Sequence, residues 1–122
     1  MAKKVLVAED DALLSQLLVK RLQEEGFDAR AAFDGGAAVA QVRTWHPDLL
    51  LLDILMPVKN GYEVLEEIRA DKSTASIVVV IVSNLGANED IEKAKSFGVT
   101  EFIKKADTTP GAIAQKVRLV LG

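Results

Sequence analysis

Pro47-Asp48-Leu49-Leu50-Leu51-Leu52-Asp53-Ile54-Leu55-Met56-Pro57 decides the fold. Leucine is a modest strand former, yet only four residues lie between Pro47-Asp48 and Asp53, too few for a helix. An apolar residue at every position, without period-2 alternation, predicts a central strand buried on both faces. Ile77-Val78-Val79-Val80-Ile81-Val82, six β-branched residues in a row, predicts a second such strand. Val5-Leu6-Val7-Ala8 predicts a first strand, Phe27 to Ala32 a weaker one, and Thr100 to Lys104 a fifth.

Between the strands the period changes to that of helices. Ala12 to Glu25 places Leu13, Leu14, Leu17, Leu18 and Leu22 on one face and stops at Gly26. Asp34 caps a helix from Gly35 to about Trp45, broken by His46-Pro47. Tyr62 to Ala70 carries Val64, Leu65 and Ile68 at core spacing. Asn88 to Phe97 has few apolar anchors, namely Ile91, Ala94 and Phe97. Thr109-Pro110 is an N-cap with proline at N1, opening a last helix to Leu121. Leu119, Val120 and Leu121 are read as packing on the sheet, with a dimer contact as the other use. Buried strands alternating with helices imply an α/β doubly wound, five-stranded parallel sheet with helices on both faces.

The chain has 122 residues, the length of one domain, and neither linker nor repeat interrupts it, so residues 1–122 are expected to form one unit. Hydrophobic residues make up 49% and charged residues 27%, which excludes disorder. A net charge of −3 excludes a basic nucleic-acid footprint. The absence of cysteine excludes disulfides and thiolate metal sites. The longest apolar run is six residues, short of a membrane span and of a signal peptide, so a cytoplasmic location is expected.

In such sheets ligands bind beyond the carboxyl ends of the strands. Those ends carry Glu9, Asp10 and Asp11 after strand 1, Asp53 after strand 3, Ser83 and Asn84 after strand 4, and Lys104 and Lys105 after strand 5. Carboxylates about 5 Å apart repel by roughly 3 kcal/mol per pair at an effective dielectric near 20 and call for a cation. Oxygen ligands without His or Cys suit Mg²⁺. Carboxylates, a divalent metal, a hydroxyl and a lysine together suit phosphoryl transfer. Other classes lack their parts. The turn after strand 1 is acidic rather than glycine-rich, and no G-x-x-x-x-G-K-[ST] occurs. His46 is the only histidine and no G-x-S-x-G is present. Asp53-Ile54-Leu55 lacks the second aspartate of aspartyl phosphatases.

Taken in order, these segments resemble the receiver domain of two-component response regulators, the CheY-like family. Val5 to Asp11 resembles its first strand and acidic pair. Pro47 to Pro57, followed by Gly61, resembles its phosphoacceptor strand and loop. Val82-Ser83-Asn84 and Phe102-Ile103-Lys104-Lys105 stand where the family has its Thr/Ser and its aromatic-x-x-Lys. The resemblance covers the whole chain and implies a flavodoxin-like three-layer sandwich with strand order 2-1-3-4-5. It also implies a signalling domain that catalyses only its own phosphorylation and dephosphorylation. Asp53 would accept a phosphoryl group from a sensor histidine kinase, a phosphotransfer protein or a small phosphodonor. Asp10, Asp53 and the Leu55 carbonyl would hold Mg²⁺, with Glu9 helping through a water. Ser83 and Lys105 would contact the phosphoryl group, and Ser83 and Phe102 would form the switch. Lys105 rather than Lys104 would be the site lysine, because it lies three residues after the aromatic Phe102 as in the family; strand alternation also puts Lys104 and Phe102 on one face and Lys105 on the other. The face of helix 4, strand 5 and helix 5 would then bind a downstream protein, an output domain or a second copy. No contact with nucleic acid or membrane is implied for this domain. The other reading is a pseudo-receiver, a binding module that works without phosphorylation.

Three single-residue readings stay open. Asp53 and Asp11 can each be a plain turn or helix cap, and Asp11 is read as the N-cap of the first helix. Ala106 stands where the family has proline after its lysine, so the Lys105–Ala106 bond is expected either cis or trans with the lysine displaced. Leu55 and Leu85 stand where the family's residues flank the path of the water that attacks the acyl phosphate. Neither leucine can orient that water, which implies a long-lived phosphoryl state.

Overall fold

The computed structural model describes residues 2–122. Five strands, β1 (Lys4–Ala8), β2 (Asp28–Ala32), β3 (Leu49–Leu52), β4 (Val78–Ser83) and β5 (Glu101–Lys104), pair in parallel in the order β2-β1-β3-β4-β5. Helices α1 (Ala12–Glu24), α2 (Gly35–Trp45), α3 (Gly61–Ala70), α4 (Asn88–Ser96) and α5 (Pro110–Leu121) alternate with them. A 3-10 turn, Lys105–Asp107, follows β5. Element ends move by a residue or so from the sequence expectation, as frayed ends do.

The leucine run explains the middle of the sheet. Leu49, Leu50, Leu51 and Leu52 are all buried, on alternating faces. Leu50 and Leu52 join Leu6, Val79 and Ile81 in the core under α2 and α3. Leu49 and Leu51 join Val5, Val7, Val80 and Val82 in the core under α1 and α5. Each such side chain contributes about 1.5–3 kcal/mol by burial, and Leu50→Ala would cost about 2–5 kcal/mol.

Helix caps follow the local chemistry. Asp11, Asp34 and Thr109 side chains accept the N–H groups of Leu14, Ala37 and Ala112. Asn60 and Glu63 form a reciprocal capping box on α3. One expectation fails on α1. Leu13 and Leu17 are 66% and 46% exposed, and the buried stripe is Ser15, Leu18 and Leu22. A helix lying on a sheet buries only about a third of its circumference, and five leucines exceed that stripe. At the far end of the chain Leu119 is 70% exposed, whereas Val120 and Leu121 pack against the α1–α5 core.

Candidate functional site at the carboxyl rim of the sheet

Parallel pairing delivers the ends of β1, β3, β4 and β5 to one rim. Asp53 N–H donates to the Ala8 carbonyl and Glu9 N–H to the Ala32 carbonyl, so both residues continue the ladder by one step. Their side chains then turn into the same hollow. Glu9 and Asp53 are each only 3% exposed, and Asp10 beside them is exposed. One carboxylate oxygen from each of the three lies within 4.8 Å of the others.

Lys105 bridges two of these carboxylates. Its Nζ lies 2.6 Å from Glu9 Oε1 and 2.7 Å from Asp53 Oδ2. The Lys105–Ala106 peptide is trans, and the lysine reaches the hollow all the same, from the 3-10 turn. The remaining carboxylate oxygens are met by backbone: Leu55 N–H donates to Asp53 Oδ1, and Asp11 N–H to Glu9 Oε2, both at 3.1 Å. The direct Glu9–Lys105 pair was not legible in the sequence, where Glu9 carried only a water-mediated part. β3 and β4 separate β1 from β5, so only the assembled sheet brings the β1 end within reach of the turn after β5.

Burial sets the electrostatics. It pushes the Glu9 carboxyl above its ordinary 4.5, and the negative charge of Asp53 adds to this, against the hydrogen bonds from Lys105 and Asp11. Burial also works to lower Lys105. The hydrogen bonds and charges of Asp53 and Glu9 outweigh it, so the ammonium is held above its ordinary 10.5. Three carboxylates against one ammonium leave the hollow a formal charge of −2. The donors are hard oxygens, and the exposed Asp10 keeps one side open to solvent. This set fits a small divalent cation such as Mg²⁺.

The loop after β3 is braced on both sides. Gly61 N–H donates to the Ile54 carbonyl, and a Cβ there would stand 2.7 Å from the Asp53 carbonyl oxygen. A Cβ on Gly35, at the start of α2, would stand 1.9 Å from the Lys59 carbonyl oxygen. No side chain fits at either position. Between them Val58 has φ +70°, a left-handed backbone that a β-branched residue rarely adopts.

The other expected residues sit further along the rim. Ser83 is fully buried, and its hydroxyl accepts the Leu85 N–H at 3.3 Å, so it faces its own loop. Phe102 is half-buried on the α4 side of β5, beside a hollow of about 220 Å³ lined also by Ile91 and Val99. Leu55 is 52% exposed, at the mouth of the site. Asn84 and Lys104 are exposed, and the Lys104 stem lies across Gly86 where a Cβ would meet it at 2.6 Å.

A sequence model described as the response regulator receiver domain matches residues 5–118. The chain belongs to this family. It is 34% identical over 105 residues to the DNA-binding response regulator MtrA of Mycobacterium tuberculosis, covering 86% of this chain and 45% of that protein. It is 29% identical over 121 residues to the phosphate regulon transcriptional regulatory protein PhoB of Escherichia coli, covering 99% and 52%. The chain thus spans about half the length of these curated relatives. Among solved structures, a Francisella response regulator receiver domain superposes with TM-score 0.85 at 30% identity, over 97% of this chain and 95% of that one. Vibrio cholerae chemotaxis protein CheY4 superposes with TM-score 0.90 at 23% identity over 98% and 99%, a likeness of fold. The receiver domain is a signalling domain of two-component systems. Among the described residues no helix is long and apolar enough to cross a membrane.

Proposed function

We propose that the chain is a phosphoacceptor receiver, a single unit over residues 1–122 that takes a phosphoryl group on Asp53. The observation that carries this reading is the setting of Asp53. It is a nearly buried carboxylate with one oxygen on Lys105 and the other on the Leu55 N–H, beside Glu9 and Asp10. An Asp53 oxygen attacks the donor phosphorus, the bond to the leaving imidazole nitrogen or acetyl oxygen breaks, and a mixed anhydride remains. The leaving group takes any proton from solvent. Glu9, Asp10, Asp53 and the Leu55 carbonyl would hold Mg²⁺, which neutralises charge on the transferring group. Lys105 adds a second cation in the same hollow. Ser83 gives up its loop contact and donates its hydroxyl to a phosphoryl oxygen.

The donor is a sensor histidine kinase or phosphotransfer protein, and the setting is the cytoplasm. The readout is a change in the face of α4, β5 and α5, with Phe102 moving as Ser83 moves. A downstream protein, an output domain or a second copy reads that face. Relatives twice as long support an attached output domain as one such reader.

The test is intact mass after incubation with acetyl phosphate, with and without Mg²⁺, on the native chain and on Asp53→Asn. One added phosphoryl group that requires both Mg²⁺ and Asp53 is the expected result. No gain in a folded, metal-binding protein would leave the phosphorylation-independent binding module as the reading.

A further inference from the structure

Helix α4 is held in an unusual way. Its only buried residue is Ala94, and its N-cap, Ala87, makes no side-chain cap bond. Two polar side chains of α3 grip it instead, one at each end. At the far end Arg69 Nε donates to the Phe97 carbonyl at 2.8 Å and Nη2 reaches the Gly98 carbonyl at 3.4 Å. Its Nη1 donates to the Ala75 and Ile77 carbonyls at 2.9 and 2.7 Å. Arg69 therefore ties that end to the loop before β4. At the near end the grip is a single side chain. The Tyr62 hydroxyl lies 3.1 Å from Asp90 Oδ1 and 3.3 Å from the Asp90 carbonyl oxygen, and Lys93 Nζ sits 4.2 Å above the Tyr62 ring. A hydroxyl has one proton to give, so breaking the near grip costs one hydrogen bond and one cation–π contact, whereas the far grip has two bonds to the end of α4, from a guanidinium that two more bonds fix to the loop before β4.

The two ends differ in what they adjoin. The near end follows directly on Ser83-Asn84-Leu85-Gly86, the loop that bears the Ser83 hydroxyl. We infer that Tyr62 is a positioning residue that latches the first turn of α4, and through it the Ser83 loop, in the resting arrangement, while Arg69 serves as the pivot. The inference rests on the phosphoacceptor reading and names the regulation of that same site. Released at Tyr62, α4 swings about its Arg69 end, and Ser83 is free to turn toward Asp53. A phosphoryl group on Asp53 draws Ser83 the same way and so pulls against the latch. Because each state excludes the other, weakening the latch raises the fraction of molecules already arranged to react.

Tyr62→Phe removes the hydroxyl and keeps the ring. With acetyl phosphate and Mg²⁺ it is expected to gain its phosphoryl group about three- to tenfold faster than the native chain, the span one hydrogen bond to a carboxylate covers when part of it is shared with solvent. Asp90→Ala removes the nearer acceptor and leaves the Asp90 carbonyl, so it should act in the same direction and by less, and the double variant should be no faster than Tyr62→Phe alone. Asp90→Asn keeps an acceptor and should restore the native rate, which a general loosening of the fold would not permit. Tyr62 is the only tyrosine of the chain, so ¹³C-tyrosine labelling gives one ring to follow by NMR. Its signals should shift on phosphorylation in the native chain and stay in place in Asp53→Asn. Native rates in Tyr62→Phe and Asp90→Ala, with a ring signal that does not move while the mass shows full phosphorylation, would overturn the latch and leave the phosphoacceptor reading standing. Absence of any mass gain in the native chain would instead remove the phosphoacceptor reading itself, and the latch with it.

Discussion

The end of β3 and the start of α4 share one rim of the sheet and are built by opposite means. Around Asp53 the two buried carboxylates are fixed twice: buried strands set the backbone, and an ammonium and main-chain N–H groups meet the oxygens of Asp53 and Glu9. At the start of α4 the helix lacks a side-chain cap, buries one alanine and leans on a tyrosine hydroxyl. The first region holds charge in place, and the second is cheap to displace. A fold that must accept a group at one point and report it at another needs both, because a rim of uniform stiffness would either misplace the acceptor or fail to move. Local stability is accordingly drawn from different sources along the same edge.

The largest effect should come from breaking the stiff half. Lys105→Met leaves Glu9 and Asp53 facing each other without their cation. Breaking a buried pair costs about 3–5 kcal/mol. With the Lys105 side chain 16% exposed, a loss near the lower figure is expected in urea denaturation with a chelator present. Added Mg²⁺ should return part of it. A loss under about 1 kcal/mol, the range of surface pairs, would mean that this half is no stiffer than the other.

Next comes the mouth of the site. Leu55→Asn with Leu85→Glu supplies polar groups beside Asp53 and Ser83, and phosphate release from the phosphorylated chain should quicken on the order of tenfold or more. Unchanged decay, followed by intact mass, would show that the two leucines do not govern access of water.

Stiffening the soft half should act in the other direction. Ala87 already has the extended backbone of an N-cap. Ala87→Ser should therefore add about 1 kcal/mol to α4, seen as amide exchange slowed roughly fivefold there and unchanged in β3. Slowing spread evenly over the chain would blur the contrast between the two regions.

The smallest effects are those of pH, and their signs follow from the shifts. Burial, then Asp90, raises the Tyr62 phenol from 10.0 to about 12, and Lys105 is held above 10.5 by its carboxylates against the pull of burial. Both groups bind their protons more tightly folded than unfolded. Their contribution is complete below pH 10 and fades as pH climbs through the folded values. The single tyrosine makes this visible by ultraviolet titration: a midpoint near 12 is expected in the native chain, and a lower one in Asp90→Ala, still held above 10 by burial, would assign the remainder of the shift to the latch. Glu9 is also raised, chiefly by burial. In a metal-free solution stability should therefore slip as pH rises from 4.5 through the folded Glu9 value.

The contrast also explains what could be read without a structure. Leu49–Leu52 and Ile77–Val82 announce themselves because a strand buried on both faces has no polar position, and Asp11, Asp34 and Thr109 because a cap is a local interaction. The choice of Lys105 over Lys104 rested first on its spacing from Phe102, and the structure brings Lys105 to Asp53 from the 3-10 turn just past β5. The outward turn of Leu13 and Leu17 was not legible, because helix period counts apolar residues without saying which third of the helix the sheet will cover. The Glu9–Lys105 pair, the Tyr62–Asp90 bond and the Arg69 bonds to Phe97 and Gly98 span 28 residues or more. Side chains so distant meet only once the layers have closed, and no local pattern marks them.

The Lys105–Asp53 pair has a further consequence, in time rather than in energy. Its partners lie 52 positions apart, and both carboxylates precede the ammonium. At about 5–20 residues per second, a ribosome releases the acidic half of the hollow several seconds before the lysine that quiets it. During that interval the nascent chain holds both carboxylates and the β4 segment without the partners they have in the fold. The arrival of β5 therefore does two things at once: it covers the open edge and brings the missing charge. The last strand made is the one that makes the first strands comfortable together.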